Sequence, residues 1–88
     1  MRVLLTGGYG CIGSWITRRL LERTDDVWIY DLKEDLHRLR QIVNPDQIRR
    51  VSFAPGDVTD LAGLKNAIAD HQITHLIHLA GLDRKSVV

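Results

Sequence analysis

Thr6-Gly7-Gly8-Tyr9-Gly10-Cys11-Ile12-Gly13 follows directly on the short apolar run Val3-Leu4-Leu5. The pattern reads as a buried strand that ends in a glycine turn and opens into a helix near Cys11. Gly8, Gly10 and Gly13 fit G-x-G-x-x-G, while Gly7, Gly10 and Gly13 fit G-x-x-G-x-x-G. Each glycine has a task. The turn needs backbone angles that a side chain would forbid. A diphosphate must approach the main chain, and the helix must pack closely on the strand. Amides at the helix start, with the helix dipole behind them, then favour an anion.

The context strengthens the motif. Asp31 closes a second apolar run, Val27-Trp28-Ile29-Tyr30, and lies 18 residues beyond Gly13. A carboxylate about 20 residues on suits a ribose diol. The remaining pattern alternates. Helix one is expected from Cys11 to Arg23, with Ile12, Trp15, Ile16 and Leu20 inward. Trp15 and Trp28 read as core residues. A weaker helix carrying Leu36, Leu39 and Val43 stops before Pro45. Strands are expected at 50–54 and 74–79, with a helix at 61–71 capped by Thr59 or Asp60. Such alternation implies right-handed crossovers and a parallel sheet of order 3-2-1-4 with helices on both faces. The glycine turn, Asp31, Asp57 and Ala80-Gly81 then all fall at C-terminal strand ends, beside the switch point where ligands bind.

Composition narrows the class. The 88 residues fit one domain, expected to bury only about 60–65% of its unfolded surface. Hydrophobic residues make up 44% and charged residues 26%, which argues against disorder. A net charge of +1 gives no broad attraction to nucleic acid or membrane. No apolar run approaches the roughly 20 residues of a membrane span. With a strand expected at once from residue 2, no secretory signal is expected. Cys11 is the only cysteine, so a reducing, cytoplasmic setting is expected. His71, His75 and His78 do not suggest a metal, because positions 75 and 78 of a strand point to opposite faces.

The glycine stretch 6–13, Asp31, Gly56-Asp57-Val58-Thr59-Asp60 and His78-Leu79-Ala80-Gly81 together resemble the N-terminal part of an extended short-chain dehydrogenase/reductase. The similarity is to the NAD-dependent epimerase/dehydratase family, whose members commonly act on nucleotide sugars, and it spans essentially the whole chain. It implies a Rossmann-like three-layer α/β sandwich, here a truncated half of the dinucleotide-binding fold. It implies that Gly7, Gly8, Gly10 and Gly13 surround a pyrophosphate, with amides from Tyr9, Cys11 and Ile12. Asp31 and Leu32 would meet the adenosine ribose. A carboxylate there favours NAD over NADP, although Lys33 leaves NADP open. Asp57 would accept from the adenine amino group, with Val58 beside the ring. Leu79, Ala80 and Gly81 would pass along the pyrophosphate and nicotinamide ribose.

The chain also departs from that family. A Tyr-x-x-x-Lys pair, in which lysine lowers the tyrosine pKa for acid/base work, is expected well after strand four. Tyr9 and Tyr30 are followed four residues later by Gly13 and Glu34. No catalytic residue is therefore assigned. Three functions follow as expectations: the cofactor-binding part of a nucleotide-sugar epimerase, dehydratase or reductase; a free-standing module for NAD or an adenosine nucleotide; or a folded remnant without chemistry. The apolar edge at strand four, or the helices beside it, is expected to drive self-association into a dimer. Residues 83–88 suggest no clear element.

Overall fold

The computed structural model describes residues 1–79. Ala80, Gly81 and the tail 83–88 therefore lie outside the described residues. Four parallel strands form one sheet: β1 (Arg2–Thr6), β2 (Asp26–Asp31), β3 (Val51–Pro55) and β4 (His75–His78). Their order is β3-β2-β1-β4, as the alternating pattern implies. The helices are α1 (Cys11–Glu22), α2 (His37–Ile42), α3 (Pro45–Ile48) and α4 (Leu61–Asp70).

Strand alternation divides the core into two layers. Val3, Leu5, Val27 and Ile29 face α1, α2 and α3, where they meet Leu20, Leu21, Leu39 and Val43. Leu4, Tyr30 and Ala54 face the other way and meet Leu64 of α4. Trp28 joins this second layer as a half-buried residue. The Arg2 guanidinium lies 4.7 Å from its ring and the His71 ring stacks on it at 5.4 Å.

Helix α1 corrects the expected inward face. Ile12 is 46% exposed and Trp15 is 53% exposed, whereas Gly13, Ser14, Thr17, Leu20 and Leu21 are buried. The cause is closeness. A Cβ at Gly13 would collide with the Gly7 carbonyl and stand 2.6 Å from Gly8 Cα. A helix held this near the strand turns its smallest residues inward. Thr17 adds a buried bond, its hydroxyl donating to the Gly13 carbonyl at 2.8 Å. Trp15 instead lies outside, with the Arg18 guanidinium 5.5 Å from its ring.

Pro45 ends one helix and starts another. Asn44 caps the single turn α3 by accepting from the Gln47 amide at 2.8 Å, and the Gln47 side chain accepts from the Asn44 amide in return. Proline at the first helical position costs no bond that the turn would otherwise make. Asp60, one of two expected caps, accepts from the Gly63 amide at the start of α4.

Candidate functional site

The glycine turn leaves the C-terminal end of β1 in a left-handed step, with Gly7 at φ 74°. Such an angle is strained for any residue with a side chain. The Gly10 amide then donates to the Gly7 carbonyl at 3.2 Å, closing the turn. Gly10 is the residue before the first turn of α1 and, as a glycine, offers that helix start no side-chain cap of its own. A Cβ at Gly8 would stand 2.8 Å from the Ile29 side chain, so Gly8 is fixed by packing against β2. A helix start that follows a left-handed glycine turn is the arrangement that suits a phosphate.

Register brings the other groups to the same rim. Thr6 pairs with Tyr30 and with His78, and Asp31 pairs with Pro55. The glycine turn and Asp31 thus leave adjacent strands, which run about 4.8 Å apart. One Asp31 oxygen, Oδ1, accepts from the Leu32 amide at 2.7 Å. This bond orients the carboxylate at the strand end. The Leu32 side chain is largely exposed.

Asp57 lies beyond β3. Its Oδ1 accepts from the Thr59 amide at 2.9 Å and from the Thr59 hydroxyl at 2.7 Å. The Thr59 amide, then its hydroxyl, hold the Asp57 carboxyl below its ordinary range. Asp57 therefore shapes its own loop as well as being exposed at the rim. Val58 packs partly into the layer of Tyr30 and Leu64. Leu79 is a buried core residue whose amide donates to both the carbonyl and the hydroxyl of Thr6. Its backbone, rather than its side chain, stays with the rim.

Two residues had no site role from sequence beyond a strand position or a main-chain amide. Tyr30 is buried, and its ring fills the space over Gly56, where a Cβ would collide with it. Its hydroxyl donates to the Asp57 carbonyl at 3.4 Å. Alternation along β2 placed Tyr30 opposite Ile29, but nothing local shows that it reaches the next loop. Tyr9 was expected to offer only its amide. Its side chain is instead 6% exposed, with its ring 6.2 Å from that of Phe53. The Tyr9 hydroxyl is buried without a hydrogen-bond partner among the described residues. Burial first, then the carboxylates of Glu34, Asp31 and Asp35, push its ionisation far above the ordinary phenol range.

Among the described residues no group of three or more His, Cys, Asp and Glu is assembled to hold a metal. No helix among them is long and apolar enough to cross a membrane. Cys11 is exposed beside the helix start.

A parallel sheet whose order reverses beside β1, with a glycine turn at that reversal, defines a Rossmann fold of the nucleotide-binding class. The family model described as GDP-mannose 4,6 dehydratase matches residues 4–87, and the chain belongs to that family. The expected similarity to extended short-chain dehydrogenases/reductases thereby holds. The UDP-glucose 4-epimerase of Erwinia amylovora is 36% identical over 87 residues, covering 93% of this chain and 25% of its own length. The crystal structure of the Stenotrophomonas maltophila UDP-glucose-4-epimerase with bound NAD and formylated UDP-arabinopyranose matches with TM-score 0.77 at 29% identity. That match covers 99% of this chain and 26% of the other. The Bifidobacterium longum UDP-glucose 4-epimerase, in complex with NAD+ and UDP, matches with TM-score 0.70 at 33% identity, covering 92% and 24%. The chain spans about a quarter of the length of these relatives.

Proposed function

We propose that these residues form the NAD-binding part of a nucleotide-sugar epimerase- or dehydratase-like oxidoreductase. One observation carries the reading: a left-handed glycine turn that leads straight into a helix start, on the strand next to the one that ends in Asp31. The residues fit the cofactor. Gly7 makes the turn, Gly10 closes it with its amide on the Gly7 carbonyl, and Gly13 lets the helix approach. Helix-start amides would take the pyrophosphate, with Gly8, Tyr9, Cys11 and Ile12 completing the loop. Asp31 would accept from the ribose hydroxyls, and its charge would repel a 2′-phosphate, favouring NAD over NADP. Asp57 and Val58 would border the adenine, and Leu79 to Gly81 the nicotinamide side. NAD, when bound, supplies a hydride acceptor. The acid/base group of such chemistry is assigned to no residue of this chain.

Calorimetry on the 88-residue chain tests the reading. NAD should bind, and Asp31→Ala should weaken it by at least roughly tenfold, the worth of a hydrogen bond to a charged acceptor. No heat with millimolar NAD would remove the proposal. The alternative, a binding or remnant module that self-associates, is favoured by one observation: edge strand β4 carries Leu76 at 44% exposure.

A further inference from the structure

The Tyr9 hydroxyl is a buried polar group in the glycine loop without a hydrogen-bond partner among the described residues, as is Ser14 Oγ in the helix that follows. An unpartnered buried hydroxyl costs roughly 1–3 kcal/mol, so it persists only where something else uses it. Tyr9 stands within the glycine loop, while its ring reaches into the core shared with Leu39 of α2 and Val43 just after it and lies beside Phe53 of β3. The side chain therefore bridges the phosphate loop and the structure under the turn 32–36. That turn carries Glu34 and Asp35, both exposed, directly after Asp31. All three carboxylates are near enough to oppose ionisation of the phenol. Acceptors are thus at hand, yet none is bonded to the hydroxyl.

We propose that Tyr9 is a positioning residue that couples nucleotide binding to the acidic β2–α2 turn: when an adenosine ribose engages Asp31, the turn settles over it and a carboxylate of that turn accepts from the Tyr9 hydroxyl. The inference rests on the NAD-binding reading above. It deepens that reading by adding a part of the site that senses the adenosine half of the ligand. The physical basis is differential satisfaction. A ligand shifts a conformational equilibrium only through interactions that differ between states, and here the closed turn gains a hydrogen bond that the open one lacks. The glycine loop and the ribose clamp would tighten together, because one side chain belongs to both.

Tyr9→Phe isolates the hydroxyl while keeping the ring. Calorimetry with NAD, and separately with ADP-ribose, measures affinity; thermal unfolding without ligand measures stability. The expected result is an affinity loss of roughly fivefold, equal for both ligands, with a melting temperature of the free chain unchanged or raised. A merely structural tyrosine would instead lower the melting temperature. Wild-type binding that Tyr9→Phe matches for both ligands overturns the coupling and leaves the NAD reading intact. A loss confined to NAD, sparing ADP-ribose, also overturns it. Failure of the wild-type chain to bind either ligand overturns the underlying reading, and the coupling with it.

Discussion

At Gly13 a hydrogen atom is all that fits between helix and strand. Alanine there would gain about 1 kcal/mol of helix propensity. It would also drive a methyl group into the Gly7 carbonyl and against Gly8 Cα, both backbone atoms that cannot rotate away. The clash should win. Gly13→Ala is expected to cost on the order of 1–3 kcal/mol net, read as a lower urea midpoint. Asp57 holds its own loop through Thr59. Its carboxyl is held below its ordinary range by Thr59. A depressed folded-state pKa contributes stability that is present above the unfolded value and is lost as pH falls through the folded one. Thr59→Val removes the hydroxyl but keeps the amide. The Asp57 pKa, followed by carboxyl NMR, should then rise toward its ordinary value, and the acid side of the stability profile should change with it. An unmoved pKa would show that the hydroxyl bond is not made in solution. The placement of Gly7 in the turn, of Gly13 against the strand and of Asp31 at the end of β2 was legible because each depends on main-chain geometry or on a strand end close by in sequence. The Tyr9 side chain was not, because its surroundings come from β3 and α2, more than 25 residues away.

At the scale of elements, helix existence was readable and helix orientation was not. Apolar spacing along 11–23 placed Trp15 and Ile12 inward, yet the tight Gly13 contact rotates Gly13, Ser14 and Thr17 onto the sheet. Hydrophobic periodicity assumes a helix standing off by an ordinary side-chain layer. Two substitutions separate the alternatives. Trp15→Ala should change stability by less than about 0.5 kcal/mol, as for a surface site. Leu21→Ala should cost about 2–5 kcal/mol, as for a fully buried leucine. Equal costs would restore the tryptophan to the core. Caps were partly legible. Asp60 was one of two expected caps for α4, and Asp60→Ala should remove about 1 kcal/mol on chemical denaturation. The turn α3 escaped notice because proline reads as a stop in sequence, while the reciprocal bonds of Asn44 and Gln47 convert it into a start.

Across the whole molecule, the sheet keeps its apolar centre in β1 and β2 and thins toward β4. Val3, Leu4, Leu5, Val27 and Ile29 are fully or almost fully buried, whereas His75, Leu76 and His78 are exposed on the edge strand. A parallel edge open on one side invites another strand. We therefore expect the 88-residue chain to self-associate through β4, seen as a concentration-dependent mass in sedimentation or light scattering. Leu76→Lys should move it toward monomer, since a charge on an edge opposes pairing. A monomeric wild-type chain at high concentration would contradict this. The sequence by itself determined the parallel order, the glycine turn and the acid at the end of β2, because these follow from local chain geometry and from handed crossovers that allow few arrangements. Only the tertiary structure decided which side of α1 touches the sheet, that Tyr30 props the Asp57 loop, and that Tyr9 ends in a buried, unsatisfied hydroxyl. Those outcomes depend on distances between segments far apart in the chain, and such distances are set by packing once the layers have met.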